Sequence, residues 1–392
     1  MTAVNEPKDR KSLAICQAAE EINVGVALNN MTNFKVKLAP EVLILGSGNS
    51  AYALACYLMA QGFEVSLLVR SQAKLNELAS LTIIAQGLLN DAYKFKTVTA
   101  DMCLALNTAK TIFITTITTA YPEIAAKLAP FLTPEHNIIL FSSKFGGVLE
   151  FAKILANCKA EYGSLLETDA LFPCRIQGDG SINIKGIKNW TLFSAINPSQ
   201  TAQDKDILLN YFPQLAPAQN IVQRGLTDFG ALAHPLIMLL NMNKIDKNLN
   251  FSFYKEGFTE KTIVLMEALE QEFMSIGKAY GTSIIPMAQL LNRYYGCDAS
   301  SLYKAIQSVR QYEAIQSPQT LNHRFIEEDV ASSLVPMYHF AKLAGVNIPL
   351  IKSLISLASI LYGIDFKNTG RSLNRLGLAQ LSYEAIYQRL NE

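Results

Sequence analysis

The sequence predicts an α/β Rossmann-like domain followed by an all-α C-terminal domain. From Leu38 to about Leu140, short apolar runs alternate with helix-compatible runs, which is typical of a parallel sheet with crossover helices. From about Leu226 onward, apolar residues recur at helical spacing instead. The 392 residues are enough for two such domains, and half of them are hydrophobic, so the chain can bury a large core.

We expect three regions along the chain. Residues 1–36 form an N-terminal arm with one helix-like piece, residues 37–223 form the Rossmann domain, and residues 224–392 form the helical domain. The arm precedes the first strand and is not needed by a nucleotide-binding domain, so its role is left open.

Composition excludes several classes of partner. The formal net charge is +1 and no long basic run occurs, so neither nucleic acid nor an anionic membrane is an expected partner. The six cysteines are scattered without a CxxC pair, which predicts reduced thiols in a cytoplasmic protein and no metal site. The most apolar stretch, residues 348–362, contains Lys352 and is too short to span a bilayer. Asn347 and Pro349 instead signal the start of a helix that is buried in the monomer or in a homodimer.

The first strand leads into a glycine turn. An apolar run, residues 42–45, precedes Gly46-Ser-Gly48-Asn49-Ser50-Ala51, and a helix over 52–61 and a strand over 65–69 follow. Gly46 permits a sharp turn, Gly48 lets a pyrophosphate approach the backbone, and Ala51 allows close helix–strand packing. The amides from Asn49 and Ser50 onward would face the phosphates. This context predicts a dinucleotide site, although an ordinary strand-to-helix turn is the simpler alternative.

The second strand ends in Arg70-Ser71. An acid at this position would bind the ribose 2′-hydroxyl of NAD, whereas a guanidinium and a hydroxyl suit a 2′-phosphate. The sequence therefore favours NADP(H). The alternative is that Arg70 is a solvated charge or stacks on adenine, with NAD(H) as the cofactor.

The rest of the first domain follows the same alternation, with a helix over 72–79 after the second strand. Further strands are predicted over 81–84, 96–99, 111–116, 137–141, 165–168, 182–185, 190–193 and 220–223, and helices over 120–132 and 202–211. The three strands between 165 and 193 are expected to complete the sheet. Because ligands bind at the carboxyl ends of parallel strands, Thr116 and the loop that contains Ser143 and Lys144 are candidates to line the cofactor cleft. Capping of the next helix is the alternative for each hydroxyl.

The second domain reads as helices throughout. In the helix after Thr259, five apolar residues form one stripe and Gly281 lies at its C-terminal cap. Later helices are predicted over 300–312, 336–344, 347–362 and 383–391.

Two clusters in this domain could carry chemistry. His234 precedes Pro235, which predicts a break in the helix and a neutral imidazole at the start of the next one. A neutral imidazole beside an acid can exchange protons near neutral pH, although a buried structural histidine is the alternative. Arg324 and Asp329 belong to an acidic run at a helix start. In a cleft, the arginine could hold a carboxylate and the aspartate could fix an imidazole tautomer.

Several motifs together resemble the octopine/nopaline (opine) dehydrogenase family over about residues 40–380. They are His234-Pro with Leu239-Leu-Asn241, Phe253-Tyr-Lys-Glu-Gly257, Arg324-Phe-Ile-Glu-Glu-Asp329-Val330, Gly370-Arg-Ser-Leu373 with Leu376-Gly-Leu378, and Glu167-Thr168 with Phe172-Pro-Cys-Arg175. Departures occur at Gly230, where some members have asparagine, and at Ser143-Lys144, where the family often has Pro-Gly.

The resemblance implies an NAD(P)-dependent oxidoreductase acting on CH–NH groups. Such enzymes couple an amino acid to a 2-keto acid such as pyruvate, and a nicotinamide hydride reduces the imine. By resemblance His234 is the acid/base group, Asp329 pairs with it, and Arg324 and Asn241 bind substrate. Two other readings stay open: a ketopantoate-reductase-like or hydroxy-acid dehydrogenase, and a non-catalytic nucleotide-binding protein.

Overall fold

The computed structural model describes residues 41–78 and 82–392, so the predicted N-terminal arm and its helix-like piece lie outside the described residues. The strands are Val42–Leu45 (β1), Val65–Leu68 (β2), Thr82–Gly87 (β3), Ala92–Lys94 (β4), Thr97–Thr99 (β5), Thr111–Ile114 (β6), Asn137–Phe141 (β7), Leu165–Thr168 (β8), Cys174–Ile176 (β9), Ile182–Ile184 (β10), Thr191–Ser194 (β11) and Leu215–Pro217 (β12). Helices of the first domain are Asn49–Ala60 (α1), Gln72–Glu77 (α2), Met102–Thr108 (α3), Tyr121–Leu128 (α4), Gly147–Asn157 (α5) and Pro198–Leu209 (α6).

The helical domain follows without a further strand among the described residues. Its helices are Ile221–Leu226 (α7), Phe229–Leu240 (α8), Met242–Asp246 (α9), Ile263–Ala279 (α10), Met287–Tyr295 (α11), Leu302–Ser308 (α12), Arg324–Asp329 (α13), Val335–Leu343 (α14), Pro349–Tyr362 (α15), Phe366–Thr369 (α16) and Tyr383–Asn391 (α17). A π-helical turn, Val330–Leu334, joins α13 to α14. This architecture agrees with the predicted fold class.

The main sheet has eight strands in the order β12-β11-β8-β7-β6-β1-β2-β5. Its six strands from β5 to β8 pair in parallel and have the strand order of a dinucleotide-binding domain. Strand β1 lies between β2 and β6, so successive strands are added on one side of β1 and then on its other side, which leaves a crevice at the carboxyl ends. All four residues of β1 and of β6 are buried, because helices cover both faces.

A second, four-stranded sheet corrects the prediction that the strand over 182–185 completes the main sheet. Its order is β4-β3-β10-β9, and β10 pairs in parallel with β3. The predicted strands near 81–84 and 96–99 consequently lie in different sheets, as β3 and β5. Within β3, Ile83 and Ala85 are buried and their neighbours are exposed, as expected for a sheet with one wet face.

Two predicted local structures in the second half are wrong because side chains cap helices there. Residues 220–223, predicted as a strand, begin α7, and the Asn220 side chain accepts a hydrogen bond from the Gln223 amide at 2.9 Å. Asn347 does not cap α15. The carboxylate of Glu272 instead accepts hydrogen bonds from the Leu350 and Ile351 amides, at 2.7 and 2.9 Å.

The predicted break at His234 is also wrong. Helix α8 runs continuously from Phe229 to Leu240 with Pro235 inside it, and Asp228 caps its start by accepting from the Ala231 amide at 3.1 Å. The helix survives because it is almost entirely buried, and packing offsets the one backbone hydrogen bond that proline removes. His234 therefore lies within the helix, and the argument from a helix N-terminus does not apply to it.

Buried ion pairs connect the two domains. Arg371 donates from Nε to Glu150 of α5 at 2.8 Å, and Arg224 of α7 donates from Nε to Glu167 of β8 at 2.7 Å. All four side chains are at most 1% exposed. No helix of the described residues is long and apolar enough to cross a membrane.

Candidate active site

The glycine turn has the shape that a dinucleotide requires. Gly46 has a φ of 133°, and a Cβ there would lie 2.5 Å from Thr115 Oγ1, so only glycine fits. A Cβ at Gly48 would have no atom within 4 Å, so the backbone at Gly48 is open to a ligand. Helix α1 begins directly after it without an acidic residue in its first turn. Its free amides can therefore bind a pyrophosphate.

The other predicted cofactor residues are distributed around this turn. Ala51 is fully buried beneath it, and Ser50 lies in the first turn of α1. Asn49 is exposed, and its side chain accepts a hydrogen bond from the Ile176 amide at 2.8 Å, which ties the turn to β9. Thr116 follows β6 beside the crevice, and its buried hydroxyl has no hydrogen-bond partner, as expected for a group that meets a ligand.

Arg70 and Ser71, the two residues predicted to bind a 2′-phosphate, differ in their surroundings. The Ser71 hydroxyl caps α2 by accepting from the Lys74 amide at 3.3 Å. Arg70 is exposed at the carboxyl end of β2. The guanidinium is therefore the group in this pair that is placed to meet a ribose substituent.

His234 lies in a hydrogen-bonded chain with an acid and a phenol. Its Nδ1 is 2.8 Å from Asp329 Oδ2, and its Nε2 is 2.6 Å from the Tyr254 hydroxyl. Phe325 stacks on the imidazole, with ring centroids 3.9 Å apart. In the neutral imidazole, an ionised Asp329 favours the tautomer whose Nδ1–H donates a hydrogen bond to the carboxylate, and Nε2 then accepts from the Tyr254 hydroxyl. Burial raises the pKa of Tyr254, so this hydroxyl stays protonated at neutral pH.

A buried lysine completes the cluster. The Lys144 ammonium lies 2.5 Å from Asp329 Oδ1 and 3.2 Å from Asp228 Oδ2, and all three side chains are less than a tenth exposed. Burial disfavours ionisation of Asp329, but the Lys144 charge, followed by His234, outweighs it and holds the pKa of that carboxyl well below its usual range. Burial likewise opposes the charge of Lys144, and the two aspartates more than offset it, so its pKa is raised.

The loop that carries Lys144 has an unusual backbone. Ser142 and Lys144 have φ values of 71° and 63°, which residues with side chains rarely adopt. Arg371 donates from Nη1 to the carbonyl oxygens of Ser143 and Phe145, both at 3.0 Å, and Arg224 donates to the carbonyl of Lys144. The two interdomain arginines thus hold the loop at the carboxyl end of β7.

The substrate-binding candidates differ in their placement. Arg324 begins α13 with its side chain 55% exposed, and its guanidinium lies over the ring of Phe325, which itself stacks on His234. It is therefore close to the His234–Asp329 pair, and its ion pair with Glu328 is long at 3.9 Å. Asn241 lies seven residues after His234 along α8, about 10 Å away. Its amide donates to the carbonyls of Ile237 and Gly257, both at 3.0 Å, which is a structural contact.

Sequence reasoning missed three members of the cluster. Asp228 is not among the residues that the sequence singles out, and it also caps α8. Lys144 was a candidate only for the cofactor cleft, and Tyr254 lay in a motif without an assigned role. A lysine in the loop that follows a buried strand was the available signal for Lys144. Among the described residues, no group of histidine, cysteine and acidic side chains could hold a metal ion.

Comparison with known proteins matches both halves of the chain. A family model described as NAD/NADP octopine/nopaline dehydrogenase, alpha-helical domain, matches residues 217–362. A model described as NAD-dependent glycerol-3-phosphate dehydrogenase N-terminus matches residues 41–149.

Individual proteins are similar over nearly the whole chain. An opine dehydrogenase from Arthrobacter sp. (strain 1C) is 31% identical over 347 residues, which are 88% of this chain and 96% of the relative. A solved octopine dehydrogenase in complex with NADH and agmatine has a TM-score of 0.71 at 21% identity and covers 89% of this chain and 98% of its own. A yersinopine dehydrogenase with NADP+ bound has a TM-score of 0.68 at 14% identity, with 90% and 98% covered. The two solved structures share the fold.

Proposed function

This chain belongs to the opine dehydrogenase family, and from this premise we propose that it couples an amino acid to a 2-keto acid such as pyruvate, with NAD(P)H as reductant. It is an oxidoreductase, and we assign it to those that act on CH–NH groups. One observation carries the proposal: the His234–Asp329 pair is joined through Lys144 to the loop at the carboxyl end of β7, beside the dinucleotide crevice.

The chemistry has two stages. The amine of the amino acid adds to the keto carbon, and loss of water gives an imine. When bound, the nicotinamide cofactor supplies a hydride, which adds to the imine carbon, and a proton on nitrogen completes the secondary amine. The product carries the carboxylates of both substrates. Its formation therefore needs proton transfer and at least one cationic anchor.

His234 is the proton-transfer group in this proposal. In the neutral form its Nε2 accepts, and it can take a proton from the incoming ammonium group and return one to the departing hydroxyl. The Tyr254 hydroxyl lies 2.6 Å from Nε2, and substrate would displace or share this contact. Asp329 fixes the tautomer through Nδ1 and stabilises the imidazolium that forms, as an acid does in other histidine pairs.

Arg324 is the proposed carboxylate anchor. Arg324 is the first residue of α13, five residues before Asp329, and its ion pair with Glu328 is long at 3.9 Å. A substrate carboxylate can therefore compete for it with two parallel hydrogen bonds. Asn241 stays a proposed substrate residue by resemblance alone, since its amide donors are engaged by backbone carbonyls.

We propose NADP(H) as the preferred cofactor. Arg70 at the end of β2 supports this choice, because a guanidinium binds a 2′-phosphate and cannot accept a hydrogen bond from a ribose hydroxyl. The open backbone at Gly48 and the unpartnered Thr116 hydroxyl fit the pyrophosphate and the neighbouring part of either cofactor.

The test is oxidation of NADPH and of NADH by the purified protein with pyruvate, over a panel of amino acids and without any amine. We expect oxidation that depends on the amine, is faster with NADPH, and is lost in His234→Ala. Oxidation with pyruvate that ignores the amine would assign the protein to the keto-acid reductases instead. Tight cofactor binding without oxidation of either cofactor over the panel would favour a nucleotide-binding protein.

A further inference from the structure

Lys144 is a buried charge for which the proposed reaction has no direct use. Its ammonium lies between two carboxylates, and its backbone adopts a φ of 63° that favours glycine. A lysine in this conformation is disfavoured by the backbone and by burial alike. Such strain persists where the surroundings hold it, and it is concentrated at functional sites.

We propose that Lys144 is a positioning residue that keeps the His234 imidazole neutral by pairing with the far oxygen of Asp329. This inference rests on the proposed function only for its kinetic consequence. The geometry is a relay of two contacts: an ion pair from Lys144 Nζ to Asp329 Oδ1 at 2.5 Å, and a contact from Asp329 Oδ2 to His234 Nδ1 at 2.8 Å. One carboxylate therefore serves an ammonium on one side and an imidazole on the other.

The sign of the effect follows from charge. An ionised aspartate alone beside an imidazole stabilises the imidazolium and would hold the histidine protonated near neutral pH. A positive charge on the other oxygen of the same carboxylate opposes that stabilisation. The pair then presents a neutral imidazole whose orientation is still fixed by the Nδ1 hydrogen bond. A neutral imidazole is the form that can accept a proton from a substrate ammonium group.

Other charged groups around the relay do not replace Lys144. Facing the ammonium are Asp228 at the start of α8, Glu328 and Asp329 of α13, and Asp169 after β8, and all of these are acidic. Lys188 pairs with Asp169 rather than with the dyad.

Facing His234 from the other elements are Tyr254, His323 and Arg324. Tyr254 is uncharged, because burial raises its pKa, and burial lowers the pKa of His323 to about 4, so it is neutral as well. The Arg324 side chain is 55% exposed and its charge is screened by solvent. Lys144 is thus the buried cation in contact with Asp329.

The lysine also fixes position. Its second contact, Asp228 Oδ2 at 3.2 Å, belongs to the residue that caps α8 through Oδ1. A Cβ at Gly230 would meet both Asp228 Oδ1 and the His234 ring, at 3.0 and 2.9 Å, so the cap and the imidazole are adjacent. One ammonium therefore ties the start of the histidine helix to the aspartate helix.

The test reads the protonation of His234 directly. The chain has four histidines, so protein labelled with 13C-histidine gives few signals, and the His234 signal is assigned by its absence in His234→Gln. Its titration midpoint is measured in the wild type, in Lys144→Met and Lys144→Gly, and in Lys144→Arg. Methionine keeps the side-chain volume, and glycine suits the backbone, so either uncharged variant can retain the loop.

We expect the His234 midpoint to rise by about one pH unit in both uncharged variants and to stay close to the wild-type value in Lys144→Arg. Lys188→Met is the matched control, because it removes a lysine that is 11% exposed from an ion pair outside the His234–Asp329 pair, and its His234 midpoint should not move. The acid limb of the kcat/KM profile should move by the same amount as the midpoint.

An unchanged midpoint in a folded, uncharged variant would overturn the inference, and so would failure of both uncharged variants to fold, since the lysine would then be needed for structure alone. The NMR titration does not depend on turnover. A midpoint that shifts as expected in a protein without amine-dependent oxidation would leave the role of Lys144 standing and reject the proposed function.

Discussion

We predict that Arg371→Met strongly lowers the free energy of unfolding, although the two side chains are similar in length. Arg371 follows α16, is 1% exposed, and donates to Glu150 of α5 and to the backbone carbonyls of Ser143, Phe145 and Ser332. Methionine fills much of the same volume and makes none of these hydrogen bonds. The substitution therefore leaves a buried carboxylate with one partner fewer and removes one donor from three carbonyls, of which that of Ser332 still accepts from the Phe145 amide at 3.1 Å.

The expected loss in the free energy of unfolding follows from these contacts. Removing one partner of a buried ion pair costs about 3–5 kcal/mol, and Arg375 still pairs with Glu150 at 2.5 Å, so the lower part of that range applies. The lost carbonyl contacts contribute roughly 1 kcal/mol in addition. We expect a total near 4 kcal/mol. With an unfolding entropy of about 2.1 cal/mol/K per residue over 392 residues, this corresponds to about 5 °C in the midpoint of thermal unfolding.

Arg375→Met is the matched control. Arg375 binds the same Glu150 carboxylate, but its side chain is 31% exposed, so solvent replaces much of what is lost. We expect a loss of about 1 kcal/mol and a midpoint shift of about 1 °C. Both variants are compared by differential scanning calorimetry of the cofactor-free protein. If Arg371→Met lowers the midpoint no more than Arg375→Met does, the buried interdomain contact is not a major source of stability.

Three further substitutions test the site. Asp329→Asn should lower kcat about a thousandfold in a folded protein, because an amide does not fix the His234 tautomer; a loss below tenfold in amine-dependent NADPH oxidation would contradict this. Arg70→Ala should raise the KM for NADPH about tenfold and leave that for NADH within a factor of two; equal effects would mean that Arg70 does not bind a 2′-phosphate. Burial and then Arg324 lower the pKa of His323 to about 4, so only the unfolded chain takes up its proton between about pH 6.5 and 4, and stability falls as pH falls through that window. His323→Asn keeps the cap of α13 and should flatten this slope in urea unfolding at pH 7 and 5.

Most of the first domain could be predicted because its signals are local. The glycine turn, the buried strand β7 and the apolar runs of β1 and β6 each specify one element without help from distant residues. The predictions that the structure contradicts concern elements whose placement or capping depends on residues far away in the sequence. Strand β10 joins the small sheet because β3, almost a hundred residues earlier, offers an edge. The start of α15 is capped by Glu272 of α10, which no local pattern at Asn347 reveals.

The sequence predicts individual residues of the site but not the complete set of contacts between them. His234, Asp329 and Arg324 were recognised as chemically suitable, and the structure brings the first two into contact at 2.8 Å. Lys144, which completes the relay with His234 and Asp329, is distant in sequence from both. Its local sequence does not indicate that two carboxylates surround its buried ammonium. Helix α8 illustrates the opposite case, since a local rule about Pro235 predicted a break that tertiary packing prevents.

Several buried ion pairs of the described residues lie where the two domains meet, and that placement explains why they are tolerated. A buried ion pair adds little stability over a well-packed apolar pair, because desolvation offsets attraction, but it is satisfied in one arrangement only. In the observed docking, Glu150 and Glu167 of the sheet domain are neutralised by arginines of the helical domain, Glu150 by Arg371 and Arg375 and Glu167 by Arg224. The same docking brings Lys144 of the β7 loop to Asp329. An apolar interface could slide by a residue without great loss, whereas these pairs would then be broken, so the charges fix the register on which the His234 relay depends.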